Sequence, residues 1–309
     1  MKIFSYIFIC TIFLAACNSG ANPLFGDNQA LKDAAAAYKT ESNPQNANLL
    51  LKEVMEELAS IEADDARTDQ LLEYGYGIAK ENSIHSREAA FLFPLVRKQL
   101  GNEGNEQKIY DLAVAMKKMN KETAANTLFK GIIENYPEFA STTEASTLMS
   151  ENIDSIDKYL SKLGGDIFEN PDNTGVNRQA SLRFVDACEA FATAYHTSSA
   201  APEYLFKAAE VAKSIRTFTK SLSIYDWIIE KYPNYDKTPT SLFLKGFIIE
   251  NNLGDDDKAR EVYNEFLAKY PQHDLADDIE FLLENLGKTD EEILQMIEER
   301  RKQQEQASE

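Results

Sequence analysis

The sequence predicts an all-α chain, a solenoid of stacked antiparallel helix pairs. Three observations carry that expectation. A thirteen-residue segment occurs three times without gaps, each copy with one apolar helical face and a Tyr-Pro end. Apolar residues outside these copies also recur at helical spacing, as in Pro44–Ile61, Arg67–Lys80 and Ser86–Leu100. No stretch alternates apolar and polar residues as a half-buried strand would.

The three copies are Ala125–Pro137, Ser221–Pro233 and Ala259–Pro271. Each begins with a small residue and places an aromatic one four positions later, at Phe129, Tyr225 and Tyr263. Apolar residues then follow at i+7, i+8 and i+11, which share one face of an α-helix. The proline cannot continue the helix, because it lacks an N–H and restricts the residue before it. A weaker fourth copy runs from Phe184 to His196, with Cys188 in the aromatic place and Tyr195-His196 at its end. His196, Pro233 and Pro271 are 37 and 38 residues apart.

This pattern resembles the second helix of a tetratricopeptide (TPR) repeat. The resemblance implies a first helix upstream of each copy. Ile109, Leu112, Ala113 and Met116 match its large, Leu, small and aromatic places, as do Leu205, Ala208, Ala209 and Ala212. Leu242, Gly246 and Ile249 match once an extra residue is allowed at Gly254–Asp257. Ala276–Leu283 resembles the next first helix. TPR similarity thus covers residues 106–287, with an inserted loop at 164–177 that holds Gly164, Gly165 and Pro171. Residues 29–105 form a less regular helical region of degenerate repeats, since terminal repeats are atypical. Residues 288–309 are a polar capping helix and tail, opened by the capping box Thr289–Glu292.

Residues 1–16 read as a signal peptide. Lys2 is followed by 14 residues without charge, too short a run for a spanning helix. Leu14-Ala15-Ala16-Cys17 resembles the lipobox of bacterial lipoproteins, which implies lipidation of Cys17. Residues 17–28 then form a flexible tether with Gly20, Pro23 and Gly26. No acidic cluster follows Cys17, which favours a body facing the periplasm from the outer membrane. In the mature chain Cys188 stands alone and is expected to be a small buried hydrophobe.

The chain has 309 residues, with 32 Lys and Arg against 51 Asp and Glu, a net charge of −19. Nucleic-acid binding needs clustered Lys and Arg, so the balance argues against that partner. It also argues against electrostatic attachment to an anionic bilayer, leaving the lipid as the membrane link. No cofactor or metal is expected. His85, His196 and His273 have no second ligand at i+3 or i+4, and the run from Asp255 lacks the Glu that a calcium loop needs at its twelfth place. No nucleophile or phosphate-binding motif occurs.

The expected function is therefore a non-enzymatic envelope scaffold that holds a peptide or protein partner in a concave groove. The TPR resemblance assigns the inward positions to Tyr110, Val114, Lys117 and Lys118, then Phe206, Glu210 and Lys213, then Phe243, Phe247, Glu250 and Asn251. Bacterial outer-membrane TPR lipoproteins are the family this arrangement resembles; the β-barrel assembly and Tol-Pal systems have members of that kind. The alternative is a lipoprotein that captures a carbohydrate or nutrient on TPR helices, with Trp227 the one indole available for stacking.

Overall fold

A computed structural model describes residues 23–288, apart from 63, 64, 103 and 174, together with 292 and 295. Among these the chain is all-α, with fourteen α-helices and no strand. They are α1 (Gln29–Thr40), α2 (Pro44–Ser60), α3 (Thr68–Glu81), α4 (His85–Lys98), α5 (Asn105–Lys118), α6 (Glu122–Asn135) and α7 (Thr142–Leu148). They continue with α8 (Ile156–Asp166), α9 (Arg178–Ala194), α10 (Ala201–Ser214), α11 (Phe218–Lys231), α12 (Thr238–Ile248), α13 (Asp256–Lys269) and α14 (Ala276–Asn285). None of the described helices is long and apolar enough to cross a membrane.

The repeat arises from three local devices. The first is a small residue on the first helix facing an aromatic residue on the second. Gly246 lies under Tyr263, where a Cβ would come within 2.6 Å of the ring. Ala113 and Phe129, and Ala209 and Tyr225, hold the equivalent places and are fully buried. The second device is the turn inside each pair, where one residue takes a left-handed conformation: Asn120 (φ 58°), Arg216 (φ 59°) and Gly254 (φ 68°). The next amide then reaches back across the helix end, as Lys121 N–H does to the Met116 carbonyl and Thr217 N–H to that of Ala212, both at 2.9 Å. The third is the exit from each second helix. Tyr136, Tyr232 and Tyr270 cap α6, α11 and α13 with nearly one backbone geometry, φ −130°, −128° and −132°. The Thr142 and Thr238 hydroxyls then donate to the Tyr136 and Tyr232 carbonyls at 3.0 and 2.7 Å. The residues after each proline are thus an ordered turn.

Two N-terminal pairs follow the same plan. In α3/α4, Gly75 faces Phe91, with 2.5 Å between a built Cβ and the ring, and Ser83 takes the left-handed turn (φ 54°). In α1/α2, Leu31, Ala34, Ala47, Leu51 and Val54 are buried at the spacing of the later repeats. Asn28 caps α1 through Leu31 N–H at 3.0 Å and donates to Glu57 at 2.9 Å, which ties α1 to α2.

Several expectations need correction. The tether over 17–28 ends earlier: Pro23–Phe25 is a 3₁₀ turn whose Leu24 and Phe25 are buried in the N-terminal core. Residues 1–22, with the signal peptide and Cys17, lie outside the described residues, as does most of the capping helix at 288–309. The inserted loop does not begin at Gly164. Gly164 and Gly165 lie within α8, where Gly164 meets the Phe184 ring, and the loop is 167–177. Most of the insertion is therefore helical, α7 and α8. The extra residue of the third repeat is taken up inside the first helix, by a π turn at Ile249–Leu253, rather than after it.

The chain also closes on itself through second helices. The Arg97 guanidinium of α4 lies 5.4 Å from the Trp227 ring of α11 and bonds Glu230 at 3.0 Å, while Phe93 meets the same indole edge-on at 5.7 Å. From α11, Lys220 reaches the buried Glu189 of α9 at 3.1 Å. The second helices α4, α9 and α11 therefore pack together.

Candidate functional site

The residues assigned to a groove divide into three groups. Tyr110 is not available to a ligand. It is 7% exposed and packs against Phe129 and Phe139, because the turn after Pro137 folds Phe139 over it. Lys117 is half-buried and reaches Glu122 at 3.4 Å, and Lys118 is exposed on the same turn. Val114 is half-buried on α5, and the remaining seven residues lie on α10, α12 and the π turn, with Phe243 and Glu250 half-buried. Phe206 and Lys213 are half-buried, Glu210 likewise, and Phe247 and Asn251 are exposed.

The two carboxylates in this group are held by the aromatic residues that define the repeat. The Tyr225 hydroxyl donates to Glu210, and Lys213 bonds the same carboxylate at 3.0 Å. The Tyr263 hydroxyl donates to Glu250 at 2.6 Å. Burial and these carboxylates push both phenols well above their ordinary range, so they remain donors at every physiological pH. Each pair ties a first-helix surface group to a second-helix core residue. In the first clear repeat Val114 and Phe129 replace the two polar partners, and the bond is absent together with both its groups.

A further arrangement belongs to the same surface and was not assigned from the sequence. Lys237, in the turn before α12, lies 5.0 Å from the Phe206 ring centroid and bonds Glu203 at 2.8 Å. The Tyr235 hydroxyl donates to the same carboxylate at 2.5 Å. Burial alone would raise the Glu203 carboxyl, but Lys237 and Tyr235 bring it below its ordinary value. The signal was present in the repeat spacing. Tyr110, Phe206, Phe243 and Phe281 hold one position in first helices, and the last three are 37 and 38 residues apart. Exposure rises toward the end of the row, from half-buried Phe206 and Phe243 to Phe281 at 47%.

Phe206, Phe243 and Phe281 of this row lie on α10, α12 and α14. Two shallow, open hollows, of about 330 and 320 Å³, lie away from this row. One is bounded by Lys130, Met149 and Ile153, the other by Met55, Leu72, Phe91 and Pro94. Trp227 packs against Arg97 and Phe93 and is 1% exposed, so its indole cannot stack on a sugar. Cys188 is fully buried, and burial raises its thiol well above the ordinary range. Among the described residues no group of three or more His, Cys, Asp or Glu is placed to hold a metal.

A tetratricopeptide repeat family model matches residues 109–138 and 240–273. These stretches contain most of α5/α6 and α12/α13, the pairs on either side of the insertion and of α10/α11. No curated protein matches the chain. The TPR fold is typically a non-enzymatic interaction scaffold, and TPR domains generally bind protein partners.

Proposed function

We propose that this protein is a non-enzymatic scaffold of the bacterial envelope, lipid-anchored through Cys17 in the outer membrane and facing the periplasm. Its body binds a peptide segment or protein partner on the first-helix face of α10, α12 and α14. One observation carries the binding reading. Half-buried Phe206 and exposed Phe247 lie within about one helical turn of Glu210 and Glu250, carboxylates that Tyr225 and Tyr263 hold in fixed positions, so these contacts are organised before a partner arrives. The support for the anchor is the tetrapeptide Leu14–Cys17 and the uncharged run before it.

Both halves can be tested. Phe247→Ala and Lys213→Ala together should weaken capture of the partner from cross-linked, detergent-solubilised envelopes while helicity is kept. Labelled palmitate should enter the wild-type protein and not the Cys17→Ser variant. Screening the purified protein for peptidase and glycosidase activity should give no turnover; a confirmed activity would contradict the scaffold reading.

A further inference from the structure

In α10 the chain supplies its own occupant for the first-helix face. Glu203 and Phe206 are one helical turn apart, and Lys237 spans them, ammonium on the carboxylate and over the ring. Asp278 and Phe281 of α14 repeat this arrangement: an acidic residue three positions before a phenylalanine, in the same register of the solenoid. Here both are exposed, and no cation lies on either among the described residues. Phe247, at 39% exposure, and Leu253, at 51%, add apolar surface in the preceding repeat. Glu250 is fixed by Tyr263 with no ion pair among the described residues, whereas Glu210 has Lys213. Among the described residues, the ion pairs and cation–ring contacts of the face thus fall on Glu203, Phe206 and Glu210, and none falls on Glu250, Asp278 or Phe281.

We propose that the α12–α14 end of this face receives a cationic amphipathic peptide segment. A Lys or Arg of that segment takes the position over Phe281 and Asp278 that Lys237 takes over Phe206 and Glu203. Its apolar side chains rest on Phe247. A cation over an exposed ring with a carboxylate beside it gains from both partners at once, and an acidic segment would be repelled. This inference rests on the partner-binding reading above and adds the chemistry of the partner.

The test uses the full-length protein and two fluorescein-labelled synthetic peptides of one pattern, one of Leu and Lys, the other of Leu and Glu, followed by fluorescence anisotropy. The Leu/Lys peptide should bind and the Leu/Glu peptide should not. Asp278→Asn and Phe281→Ala should each weaken Leu/Lys binding at least fivefold, with unchanged circular dichroism. Glu261→Gln removes one charge from the exposed surface of α13 and should change binding less than twofold. An equal loss in Glu261→Gln and Asp278→Asn would overturn the proposal, because attraction to the net charge of −19 would then suffice. Equal binding of the two peptides would also overturn it. If Leu/Lys binding is lost in Phe247→Ala with Lys213→Ala but ignores Asp278 and Phe281, this inference fails and the broader reading stands.

Discussion

Gly75 lies directly beneath the ring of Phe91, so close that a Cβ at Gly75 would be 2.5 Å from the ring carbons. The two residues join α3 to α4 as Gly246 and Tyr263 join α12 to α13. Two residues on, Gly77 has open space where a Cβ would stand. One helix therefore offers opposite outcomes for one substitution. Gly75→Ala should destabilise the protein by about 1–2 kcal/mol, since overpacking a core costs about 1–3 kcal/mol and better helix propensity offsets up to ~1. Gly77→Ala should stabilise it by about 0.5–1 kcal/mol. Urea midpoints of the two variants check this, and the same sign for both would contradict the packing described.

Arg216 holds a left-handed turn at φ 59° that Gly254 holds in the next repeat. An L-residue with a side chain pays about 1–2 kcal/mol for that conformation, and glycine loses part of the gain to its greater unfolded freedom. Arg216→Gly should raise stability by about 0.5–1 kcal/mol. A lower melting temperature would show that the arginine side chain contributes more than its backbone strain removes.

Much of this construction was readable in the residues. The small-to-aromatic spacing and the Tyr-Pro ends located α5/α6, α10/α11 and α12/α13, because both are local and both recur. The α3/α4 pair keeps the spacing of Gly75 to Phe91, but Arg87 stands where the other copies have a small residue, and α4 carries Pro94 within it instead of at its end. The glycines at 164 and 165 suggested a loop; Gly164 instead gives Phe184 room against α8. The site was legible only in outline. Motif positions put Phe206, Glu210 and Phe247 on first helices with their side chains at least partly accessible, but the burial of Tyr110 depends on Phe139, which a turn folds back over it. The Lys237 contact with Phe206 depends on the same kind of turn. Such contacts leave no spacing within one helix.

Glu189 is a buried carboxylate with Lys220 as its cation. Burial raises the Glu189 carboxyl, and Glu189 raises the Lys220 ammonium. A carboxyl whose folded value is raised favours folding below its unfolded value and loses that contribution as pH rises through the folded one. Removing the cation sharpens this effect. Lys220→Met should cost about 1–3 kcal/mol at pH 7, discounted because the lysine is partly exposed, and the loss should fade below about pH 4. Glu189→Gln with Lys220→Met should lie within about 1 kcal/mol of wild type at pH 7. A single variant as stable as wild type at pH 7 would show that Glu189 finds another partner.

His196 occupies the place where the other copies have proline, and Tyr195 before it caps α9 much as the other tyrosines cap their helices. Burial lowers the imidazole below its ordinary value. A base lowered in this way contributes stability above its unfolded value, about 6.5, and loses it as pH falls through the folded one. His196→Pro should fold, and its stability relative to wild type should be greater at pH 5 than at pH 7.5. A pH-independent difference would mean that the imidazole is solvated in the folded chain.

The central claim is that the first-helix face of α10, α12 and α14 captures a protein segment. The most direct measurement compares partner capture from cross-linked envelopes by wild type and by the Phe247→Ala, Lys213→Ala double variant, with circular dichroism on both. The account predicts that capture falls at least fivefold and helicity stays the same. Capture that is unchanged, or that falls only in step with helicity, would contradict it.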